Sequence, residues 1–292
     1  MVGHRIVLGS AQFGLNYGIA NTNGSIEAKE VENILLYAKS HQINTIDTAI
    51  SYGDSEARMG AIGVNGWNII TKLPELPKTC KNIHSWISSN IQKSLSRLNV
   101  TKLDAVLLHN PMQLLEEGGK DIWSSLRNNQ SLGIINKIGF SIYSPIELDK
   151  LYFKFKPDLV QFPYNIFDRR IEDSGWLKIL NNDKVETHAR SVFLQGLLLI
   201  GKSNRPKNFL RWKDLWTIWD NLLVKKNITA FQACMDFVFM NENIDKIVIG
   251  VDSKSHLKEV IAFKSTNCLN DFMQLSSNDL DLINPSRWNN KC

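Results

Sequence analysis

Cysteine is scarce and dispersed in this sequence. Cys80, Cys234, Cys268 and Cys292 are the only four in 292 residues, and none belongs to a CxxC pair or a Cys/His cluster of metal-ligand spacing. No metal site is expected, and free thiols in a reducing cytosol are. Long apolar runs are missing as well: no stretch approaches the ~20 residues of a membrane span. No signal-peptide core precedes RIVLGSAQFG, so a cytoplasmic location without membrane attachment is expected. Runs of like charge are absent. The formal net charge of +5 comes from scattered lysines and arginines, which argues against a nucleic-acid surface while leaving an anionic ligand such as a phosphorylated cofactor compatible. No Pro/Gly/Ser-rich linker breaks the chain, and one domain over residues 1–292 is expected. With 43% hydrophobic and 22% charged residues, the composition is that of a soluble globular protein with material for a large core.

What is present is an alternation. Short β-branched runs at Arg5–Gly9, Asn44–Thr48, Asn68–Leu73, Leu103–His109, Asn136–Ser141, Leu159–Pro163, Lys184–Ala189 and Lys246–Gly250 are separated by stretches of helical period. Val31, Ile34, Leu35 and Ala38 form one apolar stripe. Ile83, Trp86, Ile87, Ile91, Leu95 and Leu98 form another. Eight right-handed βαβ units of roughly 30 residues can close a parallel sheet into a (β/α)8 barrel, the TIM-barrel class. An open doubly wound sheet is the alternative, but its first turn normally carries GxGxxG, and LGSAQFGLNYG has its glycines wrongly spaced for that fingerprint. The barrel is therefore favoured. Residues 201–212 read as a long rim loop, with Gln12 to Tyr17 and Pro111 to Gly118 as further rim loops expected to shape the substrate site, and the last twenty or so residues as a segment packed over one end.

Four polar residues fall at or just beyond the C-terminal ends of three successive predicted strands: Asp47, Tyr52, Lys72 and His109. In a parallel barrel those ends open on the face where barrel active sites are built. Singly, each has an ordinary structural explanation: a turn cap, a loop aromatic, a solvated strand end, a satisfied core histidine. Together they make a chemical unit, because an unpaired charge near a barrel mouth is costly and Asp47 can pair with Lys72. A tyrosine phenol can protonate the alkoxide left by hydride delivery to a carbonyl, yet its ordinary pKa of about 10 is high for work near neutrality. A lysine cation about 4 Å away is worth up to ~4 kcal/mol at an effective dielectric of ~20, which would bring that pKa down by as much as about three pH units. Lys72 is expected to supply that charge, Asp47 to hold it, and His109 to orient substrate near the developing oxyanion.

At these residues the sequence resembles the aldo-keto reductase family, nearer to bacterial members that act on sugars or sugar-derived carbonyls than to animal steroid and aldose reductases. LGSAQFG, IDTAISYG, IITKL, SLSRLNVTKLDAVLLHNP, KIGFS, VQFPYN, ARSVFLQGLL and IVIGVDSKSHLKEVI spread the likeness over nearly the whole chain. The resemblance implies an oxidoreductase that interconverts a small-molecule carbonyl and its alcohol, using NADPH, with NADH as the alternative, and no metal. It implies that Ser141 and Gln161 hold the nicotinamide carboxamide, that Ser191, Leu194 and Gly196 cover the pyrophosphate, and that Gly250, Ser253, Lys254, His256 and Glu259 take the adenosine end. Four positions depart from the family's pattern. Ile142 replaces an asparagine that contacts the carboxamide, and Arg190 replaces the tyrosine that stacks on the nicotinamide. His256 stands for an arginine that grips the 2′-phosphate, and Val260 for an asparagine near adenine. Lys254 is the candidate to compensate at the phosphate. Two other readings stay open on the residues alone: a cofactor-binding regulatory or partner subunit with little turnover, and a barrel aldolase using Lys72 as a Schiff base.

Overall fold

The computed structural model describes residues 3–21, 24–265, 272 and 274–290. Cys80 and Cys234 are free thiols, while Cys268 and Cys292 lie outside the described residues. The strands are β1 (Ile6–Gly9), β2 (Thr45–Asp47), β3 (Asn68–Leu73), β4 (Leu103–Leu108), β5 (Ile135–Ser141), β6 (Leu159–Pro163), β7 (Glu186–Arg190) and β8 (Lys246–Gly250). Each pairs in parallel with the next, and β8 returns to β1 with Ile6 opposite Ile247 and Gly9 opposite Gly250. The result is the closed (β/α)8 barrel expected from the alternation. Strand seven is displaced from its expected bounds. Lys184 takes a left-handed φ of 58° in the turn after helix Trp176–Asn182, so extended backbone starts only at Glu186 and runs on to Arg190.

The helices pack with the faces that their periodicity dictates. Helix Ala28–Ser40 buries Val31, Ile34, Leu35 and Ala38, the three larger side chains each contributing about 1.5–3 kcal/mol by leaving water. Helix Ile83–Leu98 buries Ile87, Ile91, Leu95 and Leu98 and half-buries Ile83 and Trp86. It begins where Asn82 accepts a hydrogen bond from the Ser85 N–H and ends at Asn99 in the left-handed conformation. Among the described residues no helix is long and apolar enough to cross a membrane.

Inside the barrel, Ile70, Ala105, Leu107 and Leu159 form an apolar plug. Below it, at the strands' N-terminal ends, Lys137 is held between Glu186 at 2.6 Å and Asp104 at 3.3 Å. Above it, the inward side chains turn polar: Asp47, Lys72, Ser141 and Gln161, all buried. The rim segment 201–212 contains 3-10 turns at Lys202–Asn204 and Lys207–Trp212. Phe209 there packs edge-on against Trp288 with ring centroids 4.9 Å apart. That contact ties the C-terminal segment over the mouth, where Pro285 and Ser286 reach the cleft described below.

Candidate active site

The strand ends above the plug form the floor of a cleft of about 780 Å³. Tyr52 reaches it from the turn between β2 and helix Ser55–Ile62, and that turn is positioned by main chain. A Cβ on Gly14 would collide with the Tyr52 carbonyl oxygen, and one on Gly53 with the Gly14 carbonyl oxygen, so the two loops touch backbone to backbone. Ser55 fastens the same turn to β1's end, its hydroxyl donating to the Ser10 carbonyl at 2.9 Å. Behind it, buried Glu56 accepts from Thr71 at 2.7 Å and pairs with Arg97 at 2.6 Å, clamping the helix to β3.

Lys72 donates to Asp47 Oδ2 at 2.6 Å and to the Thr48 carbonyl at 3.0 Å. Gln161 donates to the other carboxylate oxygen, Oδ1, at 2.8 Å. The Lys72 ammonium lies 5.2 Å from the centroid of the Tyr52 ring, and the Tyr52 and His109 rings meet edge to face at 6.1 Å. The four sequence-predicted residues thus converge. The electrostatics differ from expectation. Burial, followed by the Asp47 charge, pushes the Tyr52 phenol above its ordinary pKa, and Arg190 is the cation that opposes the rise. Lys72, bound to Asp47, is not among the charges that set this shift. Burial also pulls the Lys72 ammonium below the ordinary lysine value, with Asp47 working against that shift. His109 is pulled down to about 4 by burial, Lys72 and Arg190, and is neutral at pH 7. Lys72 does not line the cleft, so it presents no amine to a carbonyl ligand, and the Schiff-base reading loses its nucleophile.

The aldo/keto reductase family profile matches residues 5–275. The chain belongs to the aldo/keto reductase family. It is 30% identical over 233 residues to an uncharacterized oxidoreductase of Schizosaccharomyces pombe, across 76% of this chain and 81% of that protein. It is 32% identical over 130 residues to D-arabinose 1-dehydrogenase of Saccharomyces cerevisiae, across 41% of this chain and only 38% of that enzyme. In fold it is similar to an aldo-keto reductase from Bacillus halodurans in its holo form, with a TM-score of 0.70, 16% identity and coverage of 94% and 92%. The glycerol dehydrogenase of Gluconobacter oxydans gives 0.67, 20% identity and coverage of 92% and 89%.

Of the residues this aldo/keto reductase was expected to offer a cofactor, Ser141, Gln161, Arg190, Ser191, Gly196, Gly250, His256 and Glu259 line the cleft. Three do not. Leu194 is fully buried in the apolar core, turned inward by its left-handed φ of 48°. Ser253 spends its hydroxyl capping helix Lys254–Ala262 at the His256 N–H. Lys254 lies over the Tyr37 ring at 5.4 Å. Arg190 stacks on Tyr143 at 4.5 Å and donates to the Ile142 carbonyl at 2.9 Å and to Ser191 Oγ at 3.2 Å. Sequence reasoning missed Ser51, Tyr143, Gln195 and Asp252, which also line the cleft. Gln195 accepts from the Ile19 N–H at 3.1 Å through its carbonyl and donates through its amide to Tyr17 Oη at 3.2 Å. Of the rim loops singled out in the sequence, Gln12 to Tyr17 lines the cleft, whereas Pro111 to Gly118 and Gly201 to Trp212 do not.

Proposed function

We propose that this aldo/keto reductase interconverts a small-molecule aldehyde or ketone and the matching alcohol with a nicotinamide dinucleotide, Tyr52 acting as general acid in reduction and base in oxidation. The observation that carries the reading is the Tyr52 phenol on the cleft floor, beside a neutral His109 and against the buried Lys72–Asp47 pair. The cleft combines a largely apolar lining with a few polar groups, the form of a small-molecule or cofactor site. Ser141 and Gln161 lie at its floor, joined by a hydrogen bond of 3.4 Å that is weak enough to be exchanged for a ligand amide. His256 and Glu259 of helix Lys254–Ala262 line it as well.

When bound, the nicotinamide supplies the hydride equivalent for reduction or takes it up in oxidation. Tyr52 donates its Oη proton to the substrate oxygen as charge develops there. Its raised pKa keeps the phenol protonated through the neutral range, so the proton is on hand before the reaction begins. His109 has Nδ1 facing Ser51 Oγ at 3.3 Å, leaving Nε2 to hydrogen-bond the same substrate oxygen. The partial match to D-arabinose 1-dehydrogenase makes sugars the first substrates to try.

The test is Tyr52→Phe assayed with NADH and NADPH against a panel of sugars, aldehydes and ketones. Loss of turnover by roughly 10²–10⁴ with nucleotide binding retained is expected for a missing general acid. Activity within a few fold of the parent would remove Tyr52 from the role. Tight nucleotide binding with no turnover on any substrate would favour a regulatory or partner subunit.

A further inference from the structure

We infer that the adenosine end of the cleft selects NADH over NADPH, with Asp252 and Glu30 as the discriminating carboxylates. The inference rests on the nicotinamide reading above.

The two dinucleotides differ at one group, a ribose 2′-hydroxyl in one and a 2′-phosphate in the other. A hydroxyl donates to a carboxylate, whereas a phosphate dianion needs donors and cations. From the end of β8 into helix Lys254–Ala262, the cleft is lined by Gly250, Val251, Asp252, His256 and Glu259. Among those residues are two carboxylates and one imidazole, with neither lysine nor arginine.

The helix start at Lys254 is where backbone N–H groups would otherwise receive a phosphate. Two of its donors are already engaged. The Lys254 N–H donates to Glu30 Oε1 at 2.6 Å, and the His256 N–H donates to Ser253 Oγ at 3.1 Å. The first of these brings a carboxylate from helix Ala28–Ser40 to the same helix end, and that hydrogen bond holds the Glu30 carboxyl below the usual carboxylate range. The nearby cations do not reach the cleft. Lys254 and Lys258 both place their ammonium groups over the Tyr37 ring, at 5.4 and 5.8 Å. Lys254 therefore does not provide the compensation expected of it from sequence. Asp252 is left to accept from a ribose hydroxyl, whereas a phosphate would meet the Asp252 carboxylate in the cleft and the Glu30 carboxylate at the adjoining helix end.

The test is direct binding, followed by intrinsic tryptophan fluorescence, of NADH and of NADPH to the parent protein and to Asp252→Ser and Glu30→Gln. Asp252 is exposed, so Asp252→Ser serves even if Glu30→Gln frays the helix start. The parent is expected to bind NADH at least about tenfold more tightly, the scale of a phosphate–carboxylate repulsion in well-hydrated surroundings. Each variant should narrow the gap, chiefly by tightening NADPH, and added salt should narrow it in the parent. Equal or tighter binding of NADPH by the parent overturns the selection while leaving the nicotinamide reading intact. A ratio unmoved in both variants overturns the assignment to these carboxylates. Binding of neither nucleotide overturns the nicotinamide reading and the inference with it.

Discussion

Gln161 donates its side-chain amide to Asp47 Oδ1 at 2.8 Å, opposite the oxygen taken by Lys72. A residue expected to face the cofactor is therefore also a partner of the buried ion pair. Gln161→Leu removes that donor and leaves a carboxylate oxygen buried without its partner, at a cost of about 1–3 kcal/mol. Urea unfolding should show a lower midpoint with an unchanged slope. An unaltered midpoint would mean that Asp47 is satisfied by Lys72 alone.

His109 gives a pH window. Its folded pKa of about 4 lies below the unfolded value of about 6.5, so between these values the unfolded chain binds the proton and the folded one does not. Stability from this group is complete above pH about 6.5 and falls as pH drops toward 4, by up to about 1.4 kcal/mol per pH unit. His109→Asn should flatten the stability profile across that window. A profile with the same slope in the variant would assign the acid sensitivity elsewhere. Glu186, held at about 2 by His188 and Lys137 against the effect of its burial, adds stability that is present above about pH 4.5 and lost as pH falls toward 2.

Arg190 acts on its neighbours by charge as well as contact. It lowers the pKa of both His109 and Tyr52, so Arg190→Ala should raise both. The His109 imidazole, followed by NMR, should titrate above 4 in Arg190→Ala and return toward 4 in Arg190→Lys. Nucleotide affinity should fall by about 1.5–3 kcal/mol in Arg190→Ala, the range of a charge-assisted hydrogen bond. Were His109 to titrate identically in all three proteins, Arg190 would be too well screened by water to tune the site.

Gly14→Ala tests the main-chain contact under the Tyr52 turn. The added methyl meets the Tyr52 carbonyl and the Ser55 nitrogen, both backbone atoms that cannot swing aside. A destabilisation of about 1–3 kcal/mol is expected from the overpacking. A fall in kcat of about 10² should accompany it if the phenol moves by about 1 Å. Nucleotide affinity, for which no contact is assigned to the Tyr52 turn itself, should change far less than kcat.

The barrel and the convergence of the tetrad were legible in the sequence because both are written in local terms. The stripe of Val31, Ile34, Leu35 and Ala38 needs only a helical period, and Asp47, Lys72 and His109 need only strands whose ends face one way. What escaped was whatever depends on backbone conformation or on contacts between distant segments. Strand seven starts late because Lys184 is left-handed, which no propensity of lysine announces. Leu194 turns into the core for the same kind of reason. The phenol's raised pKa follows from the burial of Tyr52 and from the Asp47 charge near it, and neither can be read from spacing. Glu30 meets the Lys254 N–H across 224 positions of sequence, and only the packing of helix Ala28–Ser40 beside helix Lys254–Ala262 brings them together.

Because Tyr52 is seated on the peptide groups of Gly14 and Gly53, its hydroxyl owes its location to atoms common to every amino acid. The ring and chain that crowd the opening, Tyr17, Tyr143, Phe193, Phe231 and Leu199, are side chains, replaceable one at a time without disturbing that seat. Evolution can thus retailor which molecules enter while inheriting the proton donor in place. Divergence among relatives should accordingly fall on the aromatic collar and spare the two glycines.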